Sequence, residues 1–311
     1  MEEKHNHSFN PPQTQPINKD GTYAEKNGGE PSSEGQAPEF GSDQGDGFDI
    51  DESSLDDFDV DEGNLEKFDS KEKNYLSIDS DVALSESKKE QGELVERGFQ
   101  FGHTFGYFKD PRMKLACLDA LKQANDDYPI GNSVGAVKMI TRSAFNYLGQ
   151  TQAGVYTNDP SRIWVQSISI SNFQNIGPAG MDAHSFINII KENVAVGFMD
   201  DSGSDDKTMR YVMTHEYGHV VEWSLLNKMV QKGALPDNSK PKINAISVRK
   251  GIIEKAMKMF PGSFEGELLN DTSQYGHKDA CEWFAETFAS MYNEKPRKVA
   301  LAMREYLKEN F

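Results

Sequence analysis

The chain has 311 residues, of which 36% are hydrophobic and 27% charged, and its mean hydropathy of -0.68 is too polar for one uniform globule with a normal core. Residues 1–95 hold 25 Asp and Glu against 8 Lys and Arg, which is the whole formal charge of -17, whereas residues 96–311 hold 25 of each. This argues for an acidic, solvated tail joined to a charge-balanced domain and against a broad nucleic-acid-binding face, because the tail repels phosphate and the rest has no basic excess to offset it.

Cys117 and Cys281 make no disulfide framework, and neither has the CxxC partner of a thiolate metal site. The opening stretch MEEKHNHSFNPPQTQP has neither a basic n-region nor an apolar h-region, and no stretch approaches the roughly 18 apolar residues of a membrane span. The expectation is a soluble, cytoplasmic chain with no membrane partner, with association with a virion or delivery to a host cell left open.

Residues 1–47 are rich in Pro, Gly, Ser, Gln and Asn, too poor in branched aliphatics to offset the entropy of ordering, and are expected to be disordered. His5 and His7 read as solvated. A ten-residue repeat follows over 48–72: Phe48-Asp49-Ile50-Asp51-Glu52, Phe58-Asp59-Val60-Asp61-Glu62 and a decayed Phe68-Asp69-Ser70-Lys71-Glu72. Each copy offers a Phe anchor among carboxylates, which suits an array of docking motifs for a protein partner as well as it suits a drifted low-complexity spacer. A calcium loop does not fit, since Glu62 stands where its turn glycine belongs and Phe68 where its bidentate Glu belongs. Residues 71–98 read as a helical linker, with the domain taken as 96–311.

Within that domain Met113–Asn125 places Leu115, Leu118, Ala120, Leu121 and Ala124 at helical spacing, with Cys117 as a small core residue. Strand-like composition covers Val134–Tyr147 loosely, Ala153–Thr157 and Ile163–Ser171, the last two forming a hairpin about Asn158-Asp159-Pro160, and a further short strand is expected over Val194–Met199. Helices are expected over Thr208–Gln231, capped by Asp205 and Asp206, over Ile246–Phe260 with Ile246, Ile253, Met257 and Phe260 on one side, then over Asp279–Tyr292 and Pro296–Leu307. A small mixed sheet followed by a helical bundle makes the fold class α+β.

The first long helix contains His215-Glu216-Tyr217-Gly218-His219. Positions i and i+4 lie about 40° apart around a helix, so both imidazoles leave one face and can converge on a zinc ion, with Glu216 beside them to take a proton from its water. The competing reading is two core histidines and a solvated Glu. The surrounding Val212, Val220, Val221, Leu225 and Leu226 weigh against it, since an apolar helix must compensate polar groups in its middle. A third histidine six residues after His219 is excluded, because Glu222 and Leu225 occupy the positions that pattern needs for Gly and His. A carboxylate from Glu282-Trp283-Phe284-Ala285-Glu286 is the remaining source, and spacing alone does not choose between Glu282 and Glu286.

These motifs, with Thr272-Ser273-Gln274-Tyr275-Gly276, whose Tyr275 stands seven residues before Glu282, resemble the catalytic segment of anthrax lethal factor and its relatives, which include phage-associated peptidase-like domains. The likeness is close over about 208–222 and 272–290 and general over the rest of 96–311. It implies a zincin, gluzincin-like bundle and a zinc-dependent endopeptidase acting on a protein or peptide, with one zinc per chain held by His215, His219 and Glu282. It further implies Glu216 as general base, Tyr275 as a hydroxyl reaching the reacting bond, and Glu286 orienting a histidine. The alternative is a zinc-containing structural or adaptor protein, virion-associated for example, that recruits partners through the acidic tail; a tail that shields the cleft until removed is a third.

Overall fold

The computed structural model describes residues 5–8, 73–140, 148–156, 159–171 and 182–311. The decapeptide repeats therefore lie outside the described residues. Helix α1 spans Ser80–Glu96, capped by the Asp79 carboxylate, which accepts from the backbone of Asp81 and Val82. Helix α2, Pro111–Asp127, starts with proline in its first turn, where a missing N–H costs nothing, and the Asp110 side chain accepts from Arg112 N. Between them Tyr75, Ala83, Leu94 and Phe99 are buried at 1% exposure or less and belong to the main core. The segment expected as a linker is thus part of the folded body, which extends N-terminal of residue 96. Its composition misled because only one narrow stripe of α1 is apolar, while Val82 and Val95 face solvent.

The sheet is mixed, in the order β1-β3-β4-β2. Strand β2 is Val137–Ile140, β3 is Gly149–Tyr156 and β4 is Asp159–Ser171. β3 and β4 form the expected antiparallel hairpin, and β2 lies parallel to β4 on its other side. A four-residue strand β1, His5–Ser8, pairs antiparallel with Gln150–Ala153 of β3. These four residues are the described part of 1–47; the rest of that segment lies outside the described residues. Residues 141–147, in the loosely expected first strand, and 157–158, at the hairpin turn, lie outside the described residues.

Helix α3, Ala183–Ala195, replaces the strand expected at Val194–Met199. Asp182 caps it through Ser185 N at 2.8 Å, and Phe186, Ile187 and Ile190 are buried. The β-branched cluster that suggested a strand is the end of this helix and the turn after it, closed by Gly197 at φ +74°. The remaining helices are α4 (Asp205–Gln231), α5 (Pro241–Met259), α6 (Glu265–Leu269), α7 (Ala280–Ser290) and α8 (Lys298–Asn310). Ser204, rather than the two aspartates after it, caps α4, with Asp205 and Asp206 in the first turn. On α5 the expected Ile253 is buried and Met257 and Phe260 pack against the core, joined by buried Ala245, Val248, Ile252 and Ala256, whereas Ile246 is half exposed.

Among the described residues eight α-helices and a small mixed sheet make the fold α+β, but α1 and α2 precede strands β2–β4, so the order is not simply sheet then helices. Helix α4 is the hub, packed against α2, α7, β3 and β4. Its Tyr217 is fully buried, its hydroxyl 2.9 Å from Asn125 Oδ1 and 2.8 Å from the Tyr128 carbonyl. At its far end the Asn227 amide exchanges hydrogen bonds with the backbone of Ile163, at 2.7 and 2.9 Å, pinning helix to strand. Leu94→Ala should lower the free energy of unfolding by about 2–5 kcal/mol in denaturant titration, as for any fully buried leucine; an unchanged midpoint would mean that α1 is only a spacer.

Candidate metal centre

The centre of α4 is buried on every side: Val212, Met213, Tyr217, Val220 and Val221 are at most 2% exposed. His215, Glu216 and His219, at 1% each, are therefore polar groups with no route to bulk water, and their partners must come from the elements that cover them. Helix α7 does so from one side. Gly218 lies against it, and a Cβ there would stand 3.1 Å from Ala285 Cα and from Phe288 Cβ. Because Gly218 and Ala285 carry almost no side chain, the two helices approach closely, and Glu282, three residues before Ala285, and Glu286, next to it, reach the histidines. Asp279 caps α7, accepting from Cys281 N and Glu282 N at 3.0 Å each.

His215 Nε2 and His219 Nε2 stand 3.3 and 3.4 Å from the same atom, Glu282 Oε2. One donor atom from each of the three residues lies within 4.8 Å of the others, and the imidazoles meet edge to face at 85°. The other oxygen, Glu282 Oε1, accepts from the Tyr275 hydroxyl at 3.0 Å and from Lys278 Nζ at 3.2 Å, which turns Oε2 toward the imidazoles. Glu286 takes the opposite nitrogen of His215: its Oε1 lies 2.8 Å from Nδ1, while Oε2 accepts from Tyr211 at 2.8 Å and from the Ser273 hydroxyl. The Tyr275 turn is itself anchored, with Gln274 N donating to Gly197 O and Tyr275 N to Phe198 O at 3.0 and 3.1 Å.

Strand β3 covers the remaining side. The Thr151 hydroxyl lies 2.5 Å from Glu216 Oε2 and 3.0 Å from the Glu216 carbonyl, and a Cβ on Gly149 would fall 2.4 Å from Glu216 Oε1. Burial pushes the Glu216 carboxyl up to about 7, against the pull of the two imidazoles. For His215 and His219 burial disfavours the charged form, but the adjoining carboxylates outweigh it and raise them to about 9 and about 10. Burial together with Glu282 drives the Tyr275 phenol far above its ordinary value, so it stays a protonated donor.

The donor set suits a dication. Two imidazole nitrogens and one carboxylate oxygen could hold a metal ion, and four carboxylates, Glu216, Glu222, Glu282 and Glu286, each at most 1% exposed, surround only two imidazoles. The structure thus brings together His215, His219, Glu282, Glu216, Tyr275 and Glu286, all singled out from sequence. Gly149, Thr151, Tyr211, Ser273 and Lys278 went unnoticed. Tyr211 and Lys278 carried a signal, each lying four residues before a candidate ligand, whereas nothing local linked Thr151 to Glu216 across 65 positions. His103, His184 and His277 are exposed. Comparison of the chain with models of protein families, with curated proteins and with solved structures finds no match.

Metal binding at such a site displaces the protons on His215 and His219. Zinc should release about two protons per chain at neutral pH, and its apparent affinity should climb with pH until about 10, read by calorimetry in buffers of different ionisation enthalpy. In the metal-free chain these raised values add stability that is complete below the ordinary 6.5 and is lost as pH rises through about 9 and 10. Gly218→Val should drive α7 from α4, costing about 1–3 kcal/mol of stability and weakening zinc binding in the same sample.

Proposed function

We propose that the chain is a zinc-dependent endopeptidase that hydrolyses peptide bonds, with His215, His219 and Glu282 holding one zinc ion per chain and Glu216 as general base. The observation that carries this reading is the convergence of three donor atoms from two helices within 4.8 Å, with Glu216 one residue along from the first ligand. A zinc ion held there would act as a Lewis acid, making water acidic near neutral pH and polarising a carbonyl.

The rest belongs to the chain's own residues. The Thr151 hydroxyl holds Glu216 Oε2, which leaves Oε1 to take the proton from the attacking water and to pass it to the departing amine. A carboxyl raised to about 7 by burial is matched to both tasks, accepting and returning a proton at neutral pH. Tyr275 remains protonated and donates a hydrogen bond; at 3.0 Å from Glu282 Oε1 it stands at the edge of the ligand set, placed to turn toward a developing oxyanion. Lys278, about half exposed, adds positive charge on the same side. The likeness of the motifs to the lethal factor family supports the same assignments, residue by residue.

A structural or adaptor protein built around zinc is the second reading. The burial of Glu216 and its short contact with Thr151 favour it, since a base must meet its substrate. The two readings separate on one variant. Glu216→Gln should retain a full equivalent of zinc and lose cleavage by about 100-fold or more in a proteome-derived peptide screen, whereas His219→Ala should lose both zinc and cleavage. Loss of no activity in Glu216→Gln would leave the adaptor reading in its place. Gly149→Ala, which presses on Glu216 Oε1, should lower the cleavage rate while sparing zinc content measured by mass spectrometry.

A further inference from the structure

The two histidines face Glu282 in the same way, each through Nε2, so each has its Nδ1 turned to the opposite side. For His215 that side is filled by Glu286 at 2.8 Å. For His219 it is Glu222, one turn further along the same helix, with Oε2 3.9 Å from Nδ1. We propose that Glu222 is a positioning residue for His219: its carboxylate holds the Nδ1 proton and so commits Nε2 to the metal, as Glu286 does for His215. This assignment rests on the zinc reading above.

Three further observations support it. Glu222 is fully buried, and on stability alone a buried acid is inferior to an amide or an apolar side chain of similar size. The His219 ring is stacked on Trp223, with ring centroids 5.8 Å apart and planes 22° from parallel, which restrains the rotation that would otherwise turn Nδ1 away from Glu222. Cys281, next to Glu282 on α7, is buried beside Glu222, whose charge adds to burial in pushing the thiol well above its ordinary value. A separation of 3.9 Å is within ion-pair reach and about 1 Å longer than a hydrogen bond, a gap that a small change in the Glu222 side-chain torsions closes. In the sequence Glu222 served only to exclude a third histidine at the pattern's usual place; its spacing of three from His219 is the local signal of the contact.

The test uses the full chain and zinc alone. Glu222→Gln should weaken zinc binding about 10–100-fold in competition with a chromophoric chelator; because the Glu222 charge also holds the protonated His219 of the metal-free chain, that form should melt lower at neutral pH. A residue kept only for the stability of the metal-free chain would leave zinc affinity unchanged, and that result would overturn the assignment. A second measurement needs no variant: in the zinc-loaded wild type, nitrogen-15 shifts should place the His219 proton on Nδ1 and the metal on Nε2. Ligation through Nδ1 would overturn the assignment equally. A wild type that binds no zinc removes both this role and the reading beneath it, whereas a wild type that binds zinc as tightly as Glu222→Gln removes only this role.

Discussion

The close approach of α4 and α7 at Gly218 and Ala285 is the constraint on which the site depends. Helix axes normally stand 8–10 Å apart according to the side chains between them. Glycine facing alanine lets the two helices come close, and Glu282 Oε2 lies within 3.4 Å of two imidazoles rooted on the other helix. The pairing also explains why polar groups occupy the most buried part of the molecule. Each of the four helix-borne carboxylates has its counterpart on hand, and the apolar residues around them, Tyr217, Trp283, Phe284 and Phe288 among them, fix the helices well enough to hold side chains in register.

Much of this arrangement was legible in the sequence, because it is written in helical spacing. His215 and His219, or Glu282 and Glu286, are four apart, and an apolar helix that carries such pairs has few other ways to bury them. The small residues Gly218 and Ala285 sit inside the same motifs. What could not be read was long-range: Thr151 on Glu216, the Tyr275 turn anchored on Phe198, and the Asp182-capped helix whose β-branched end imitates a strand. The boundary of the folded body was misjudged for a different reason. The polar average of residues 71–98 conceals Tyr75, Ala83 and Leu94, three buried positions that decide whether α1 packs.

Residues 96–311 are balanced in charge, and the carboxylates at their centre are internal matters settled by imidazoles, hydroxyls and, on the reading offered above, a metal. The acidic excess lies in the first 95 residues, and its densest part is the segment of Phe-Asp repeats over 48–72, with 11 Asp and Glu against 2 Lys. Among the described residues no helix is long and apolar enough to cross a membrane.

The placement of Glu216 beneath β3 makes the pairing of a hairpin part of the chemistry of a helix. Thr151 is opposite Ile168 in that ladder, and the side chains on either side of it along the strand point the other way. Sliding β3 by a single residue would withdraw the hydroxyl and put a glutamine over the carboxylate, since Gln150 and Gln152 are the neighbours. The proton affinity of Glu216 is thereby coupled to strand alignment, and an event that shifts the sheet would be felt as a change in the acidity of one buried acid.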